Sequence, residues 1–92
     1  MPTYPFALGT VMLTVGALAA LEQAEQTPEQ LLARHSFGDW GELDAEDWAR
    51  NNHAQGNALR LLSSYRLRDN TKVWVITEWD RSSTTILLPE EY

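Results

Sequence analysis

The sequence contains no cysteine, and this absence excludes several kinds of chemistry at once. A chain without thiols forms no disulfide, no thiolate metal site and no cysteine nucleophile, and it suits a reducing compartment. The chain also lacks a glycine-rich phosphate-binding loop and a Gly-x-Ser-x-Gly motif, and it has only two histidines. We therefore expect neither nucleotide hydrolysis by the usual route nor serine catalysis, and we predict no cofactor.

Positive charge is scarce in the first half of the chain. The net charge is −6 over 92 residues, and residues 1–49 carry eight acids against one base, Arg34. Residues 50–92 carry six bases against five acids. Proteins that hold the nucleic acid backbone need clustered positive charge, so nucleic acid is not expected as a direct ligand. The acidity either solubilises the surface or marks a site for a basic partner.

Lysine and arginine are also absent before the apolar stretch at residues 6–21. A signal peptide carries positive charge before its apolar stretch. A membrane span needs a longer apolar run, and this one is interrupted by Gly9, Thr14 and Gly16. We therefore predict a cytoplasmic protein that does not contact a membrane. The 43% hydrophobic content and four tryptophans indicate one folded domain over residues 1–92.

Three helix starts are predicted in the first part of the domain. An extended arm at residues 1–5 precedes a helical part at residues 14–56. Thr14, Thr27 and Asp44 are predicted N-caps, because short polar side chains there accept hydrogen bonds from free backbone N–H groups. Gln30 would close a capping box with Thr27, and Gly56 would end the third helix.

Alternating apolar residues predict a β-meander over residues 58–89, with turns at residues 68–71 and 80–83. Helices first and strands last give an α+β class, in which the N-terminal helices pack on a three- to four-stranded antiparallel β-meander. Residues 6–13 form either a first strand or the entry to a helix. On the middle strand, Trp74 and Ile76 lie opposite a second apolar face. They are therefore covered by the N-terminal segment or exposed to a partner.

The stretch HSFGDWGELDAEDW, residues 35–48, concentrates the acids. Asp44 and Asp47 suit a helix start, whereas His35, Asp39, Glu42 and Glu46 have no firm structural duty. Residues 39–47, the acidic segment, hold five acids in nine residues and predict a negative patch. Such a patch imitates nucleic acid phosphates and fits the basic groove of a nuclease or modification enzyme. The residues predicted to bind a partner are Asp39, Glu42, Glu46, Asp47, Trp74 and Trp79.

Two alternatives have less support in the sequence. His35, Asp39 and His53 are weak candidates for a metal site of a small metal-dependent enzyme, because mixed histidine and carboxylate ligands hold divalent ions. Their spacing matches no strong metal motif. A basic hairpin with a neighbouring tryptophan would bind single-stranded nucleic acid, but cross-strand pairing with Glu78 and with helix acids explains its charges better. The hairpin residues are Arg60, Arg66, Arg68, Lys72 and Trp74.

Several segments resemble a family of small proteins carried by bacterial plasmids, integrative elements and phages. The resemblance covers residues 14–92 and is most specific in RHSFGDWGELDAED, LLSSYRL and TEWDRSSTTILLPEEY. It implies a mobile-element setting in a bacterial cytoplasm and assigns no catalytic residue. Trp79 stands where the resembled family has a small residue, which marks it as a lineage-specific contact.

These observations together predict a non-enzymatic protein-interaction module of a mobile element. Its expected target is a basic host protein or a component of a defence complex, such as a restriction or CRISPR effector, engaged through the acidic segment. That activity would make it a counter-defence inhibitor, an anti-CRISPR or anti-restriction protein. A homodimer is left open.

Overall fold

Along most of the chain, helices come first and strands follow. The computed structural model describes residues 6–55 and 59–92, except for the side chain of Gln55. Within these residues there are three α-helices, four β-strands and one short 3₁₀ helix. The elements are β1 (Thr10–Leu13), α1 (Val15–Ala24), α2 (Pro28–Ser36), α3 (Ala45–Gln55), β2 (Leu61–Arg66), β3 (Lys72–Thr77), β4 (Ser83–Leu87) and the 3₁₀ helix Pro89–Glu91. None of the helices described is long and apolar enough to cross a membrane.

All three predicted N-cap residues occupy that position, and two of them cap their helix through the side chain. The Thr14 hydroxyl accepts from the N–H of Ala17 at 3.1 Å, and the Asp44 carboxylate accepts from the N–H of Asp47 at 2.8 Å. Each side chain satisfies a backbone donor that the first helical turn leaves free.

Thr27 is the N-cap residue of α2, as predicted, but its side chain makes no capping hydrogen bond, so the predicted capping box is wrong. The N–H of Gln30 donates to the Thr27 carbonyl at 3.2 Å, and the Gln30 side chain accepts from Gln26 at 3.4 Å. Both groups of Gln30 that a capping box requires are therefore engaged elsewhere. The predicted arm at residues 1–5 and the predicted stop at Gly56 lie outside the described residues.

The sheet has the strand order β1-β4-β3-β2. The β2–β3 and β3–β4 pairs are antiparallel, as the meander predicts. β1 pairs in parallel with β4, so the prediction of a purely antiparallel meander is wrong. Residues 6–13 therefore contribute a strand, and because all three helices separate β1 from β2 along the chain, β1 can join the far edge of the sheet in the parallel sense.

The helices cover one face of the sheet. Leu21 of α1 and Leu31 of α2 are buried in one cluster with Val75 of β3 and Ile86 of β4. A second, smaller cluster surrounds Trp40 where the chain passes from α2 to α3, and it holds Ala54 and Leu61. Burial of these apolar side chains is the main force that holds the two layers together.

The other face of the sheet carries Trp74 and Ile76. Ile76 is buried, and Trp74 is half-buried against the ring of Tyr92, with the ring centroids 5.7 Å apart. The segment after β4 is held in place by Glu91. Its carboxylate accepts from the Thr14 hydroxyl at 2.5 Å and from the N–H of Leu88 at 2.8 Å. Trp74 therefore packs on a residue that follows the sheet.

Candidate functional site

The His35 ring lies in the last turn of α2 and is fully buried. Its Nδ1 lies 2.5 Å from Ser63 Oγ and its Nε2 lies 2.9 Å from Thr77 Oγ1. The rings of Phe6 and Trp40 approach it edge-on, with centroids 5.6 and 5.5 Å away. Both ring nitrogens are thus engaged, and aromatic rings pack against the imidazole.

A line of hydroxyl groups continues from His35 across the sheet. Thr77 Oγ1 lies 2.7 Å from Thr84 Oγ1, which donates to the Leu8 carbonyl at 2.7 Å. A carbonyl only accepts, so Thr84 donates to it, Thr77 donates to Thr84, and the Nε2–H of His35 donates to Thr77. Ser63 then donates to Nδ1. The neutral ring with its proton on Nε2 satisfies every member of the line.

Burial lowers the pKa of His35 to about 3, and the positive charge of Arg81 acts in the same direction. The ring is therefore neutral near pH 7. A neutral imidazole that is closed off from solvent and hydrogen-bonded at both nitrogens cannot reach a substrate, so His35 serves the packing of the interior.

The predicted metal site is not assembled. His35 has no free ring nitrogen, Asp39 is paired with Arg34, and His53 lies exposed on α3. In the part of the chain that the structure describes, no group of three or more histidine, aspartate or glutamate side chains is placed to hold a metal ion.

Asp39 begins the acidic segment and is tied to its surroundings. Its carboxylate accepts from Arg34 Nε at 2.7 Å and from the N–H of Gly41 at 3.1 Å. The hydrogen bond from Arg34 holds the pKa of Asp39 below its ordinary value, and the Gly41 bond acts in the same direction. The Tyr65 hydroxyl donates to the Asp39 carbonyl at 2.5 Å. The start of the acidic segment is therefore fixed to α2 and β2.

The next residues of the acidic segment lie along β2. Gly41 forms an isolated parallel bridge with Ser64, and the N–H of Glu42 donates to the Ser64 carbonyl at 2.6 Å. Gly41 has a φ of 76°, and a Cβ there would meet that same carbonyl, so only glycine suits this position. The Glu42 carboxylate accepts from Arg66 Nε at 3.2 Å.

The last acids of the segment start α3. Asp44 is the N-cap, while Glu46 and Asp47 share Arg50, at 3.5 and 3.1 Å. The Glu46 side chain is 84% exposed. Three arginines are thus paired with acids of the acidic segment, which has five acids in all. The segment therefore keeps a net negative charge, and its residues are held by hydrogen bonds.

A shallow cleft of about 330 Å³ lies between α3 and β2, beside the acidic segment. In its wall the Asn51 side chain donates to the Leu62 carbonyl and accepts from the Leu62 N–H. Asn51 was not singled out from the sequence. Its position three residues after Trp48, on the same helix face, was the available signal. The cleft is lined by Leu43, Asp47, Arg50, Asn51, Arg60 and Leu62.

The basic hairpin is largely engaged within the chain. Arg66 pairs with Glu42, which is neither Glu78 nor one of the helix acids that were predicted as partners of the hairpin. Arg68 Nη1 donates to the Glu25 carbonyl at 3.4 Å, and the Arg60 guanidinium lies over the Tyr92 ring at 5.4 Å. These contacts give the three arginines of the hairpin partners inside the protein, which leaves less of their charge for a nucleic acid.

Of the two tryptophans predicted to bind a partner, Trp79 is 60% exposed and Trp74 is half-buried on Tyr92. Arg81 follows Trp79 in the β3–β4 turn and was missed by the sequence prediction. Its guanidinium donates to the Ala54 carbonyl at 2.9 Å and to the Leu59 carbonyl at 2.6 Å, which ties the turn to the end of α3. Those acceptors lie 27 and 22 residues away, so no local pattern predicts them.

Comparison of this chain with family models, with curated proteins and with solved structures gives no match.

Proposed function

We propose that this protein is a non-enzymatic interaction module that binds a basic protein through the acidic segment. The observation that carries the proposal is that most of the acids are held by hydrogen bonds within the chain before any partner arrives. Asp39 is held by Arg34 and Gly41, and Asp44 caps α3. A preorganised charged surface loses little conformational entropy on binding, and its charge speeds the encounter with an oppositely charged partner.

The interior chemistry supports binding over catalysis. His35, the side chain best suited to acid–base work at neutral pH, is neutral, fully buried and hydrogen-bonded at both ring nitrogens. The neighbouring Arg34 is paired with the Asp39 carboxylate on the surface. Such pairs recognise a complementary surface, whereas they do not activate a nucleophile.

The setting proposed for this binding is the cytoplasm of a bacterium that carries a mobile element, as the resemblance of residues 14–92 implies. A restriction or CRISPR effector exposes a basic groove for nucleic acid, and the acidic segment would occupy that groove in place of phosphates. The protein would then be a counter-defence inhibitor. Trp79, exposed on the β3–β4 turn, is a further candidate contact.

The experiment is a charge reversal. The tagged full chain is used to capture proteins from its bacterial host at a series of salt concentrations, with identification by mass spectrometry. We expect a basic protein that is released as salt rises. The double variant Glu42→Lys and Glu46→Lys should reduce its capture at least about ten-fold, since opposed like charges disfavour the contact.

The matched control reverses two acids elsewhere, Glu22→Lys and Glu90→Lys, both exposed and both outside the acidic segment. It changes the net charge by the same amount and should leave capture within about two-fold. Because Glu42→Lys places a like charge beside Arg66, the milder pair Glu42→Gln and Glu46→Gln is measured as well, with circular dichroism to show that it folds. Capture that is equally strong for the reversed and the control variants would contradict the proposal.

A further inference from the structure

The two edges of the sheet differ in how their outward-facing backbone groups are hydrogen-bonded. At the β2 edge, the Asn51 side chain binds both backbone groups of Leu62. Next to it the N–H of Ser64 donates to the Trp40 carbonyl at 3.0 Å, and the Ser64 carbonyl accepts from Glu42. This edge cannot receive another strand. Proteins block edges in this way because unpaired backbone groups recruit other strands.

The β1 edge has no such cover among the described residues. The N–H groups of Thr10 and Thr14 donate towards β4, at 3.0 Å to the carbonyl of Ser82, just before the strand, and at 3.1 Å to the Ile86 carbonyl. Backbone groups of alternate residues point to opposite sides of a strand, so those of Val11 and Leu13 point away from β4. No described residue pairs with them.

Several side chains around this open edge are apolar and exposed. Val11 is 39% exposed, Met12 46%, and Val15, two residues after the strand, 86%. Residues 6–21 contain no charged side chain, although the chain has a net charge of −6. Two copies of this acidic protein would repel each other over most of their surface, whereas this stretch adds no repulsion of its own.

We propose that this chain forms a homodimer in which β1 pairs with β1 of a second copy in antiparallel fashion, about a two-fold axis at Met12. Val11 then lies opposite Leu13 of the partner subunit, and Leu13 lies opposite Val11 of the partner subunit. The N–H and C=O groups of Val11 and Leu13 all find partners in this register. The contact is self-complementary, as a two-fold interface requires, and the result is one continuous sheet of both copies.

The expected dimer is of moderate affinity. One short strand with a few exposed apolar side chains buries less than the roughly 1,200 Å² at which specific interfaces begin. We therefore expect dissociation in the micromolar range. Sedimentation velocity over a concentration series should show the mass rise from that of one chain, 10.4 kDa, towards twice that value.

Cross-linking tests the register directly, because the chain has no cysteine of its own. Residues that face each other at a non-hydrogen-bonded antiparallel pair have Cα atoms about 4.5 Å apart, within the span that a disulfide bridges. The variant Met12→Cys should therefore form a covalent dimer on mild oxidation. Leu59→Cys is the matched control, since Leu59 is also 46% exposed and lies outside β1. It should cross-link at least about ten-fold less.

A charge pair tests the same axis without covalent chemistry. Met12→Lys or Met12→Glu alone places two like charges together and should leave a folded monomer, with a circular dichroism spectrum like that of the unaltered chain. Mixing the two variants should restore a dimer of one copy of each. Leu59→Lys should dimerise normally.

Three results would overturn the proposal: an unaltered chain that stays monomeric at all concentrations, equal cross-linking of the two cysteine variants, or a Met12→Lys variant that still dimerises. None of these readouts involves the basic partner. The proposal therefore stands or fails separately from the proposed function.

Discussion

The ring of His35 links parts of the chain that are far apart in sequence. Ser63 of β2 and Thr77 of β3 bind its two nitrogens. Thr84 of β4 accepts a hydrogen bond from Thr77 and donates one to the Leu8 carbonyl. In a medium of low polarity such hydrogen bonds are strong, and an unpaired member of the line would be costly. A satisfied polar line therefore favours one arrangement of α2 on the sheet over others.

The burial of His35 makes stability depend on pH. Its folded pKa is about 3, below the ordinary value of 6.5, so the unfolded chain binds the proton more readily. The stabilising effect of the neutral ring is complete above pH 6.5 and is lost as pH falls towards 3. We expect the free energy of unfolding to drop by about 2 kcal/mol between pH 7 and pH 5, as measured by urea denaturation at each pH.

The control for this prediction is His53→Gln, on the exposed surface of α3, which should keep the drop. His35→Asn should remove most of it. If that variant does not fold, proton NMR of the unaltered chain decides, because the His35 ring signals should not move between pH 7 and pH 5. A titration of those signals with a midpoint near 6.5 would contradict the prediction. The pKa of Asp39 is held low by Arg34, so loss of that pair enters only at more acidic pH.

The sequence predicted the local contacts of the acidic segment better than its distant ones. Asp44 lies three residues before its hydrogen-bonding partner Asp47, and such a spacing is visible in a sequence. The sequence alone assigns His35 no structural duty, because its partners lie 28 and 42 residues away. Glu42 is paired across 24 residues for the same reason. Helix caps can be predicted from local sequence patterns, whereas contacts between distant polar groups become visible only in the folded structure.

At the scale of elements, the Asn51 side chain covers the outer edge of β2, the edge that does not pair with β3. The Asn51 amide has the same donor and acceptor as a peptide group, so it occupies the place of a neighbouring strand beside Leu62. Residues 40–42 continue the cover beside Ser64. α3 is thereby attached to the sheet through hydrogen bonds from the Asn51 side chain to the Leu62 backbone as well as through apolar contacts.

Removal of the Asn51 amide should loosen this attachment. We expect Asn51→Ala to lower the free energy of unfolding by about 2 kcal/mol, since two hydrogen bonds of a buried side chain are lost. The Leu62 N–H should also exchange with solvent markedly faster, as measured by NMR. Glu46→Ala, in the exposed first turn of the same helix, should cost no more than about 0.5 kcal/mol. Equal losses for the two variants, with unchanged exchange at Leu62, would contradict this assignment.

Element boundaries follow from the sequence more readily than strand neighbours. The alternation of apolar residues placed β2, β3 and β4, and each antiparallel step is made by a short turn, so their order was predictable. β1 is separated from β4 by most of the chain, and no short connection fixes its direction. Its parallel pairing depends on contacts such as the one from Thr84 to the Leu8 carbonyl, which no local pattern contains.

At the scale of the whole molecule, the two proposed contact surfaces lie at opposite ends of the sheet. The acidic segment runs beside β2, and β1 forms the other edge. A dimer formed through β1 would therefore hold two acidic segments at its two far ends, both facing away from the interface. One dimer would then engage two copies of a basic partner without conflict between them.

The stoichiometry of the complex with the captured basic protein tests this arrangement. We expect two copies of each protein in the complex by light scattering, and one of each with Met12→Lys, because loss of the β1 contact leaves the acidic segment intact. On a surface carrying many copies of the partner, the unaltered chain should dissociate at least about ten-fold more slowly than Met12→Lys, since two linked sites must release together. Glu42→Lys with Glu46→Lys should give the opposite pattern, a dimer that no longer binds the partner. A Met12→Lys chain that lost partner binding altogether would show that the two surfaces are not independent.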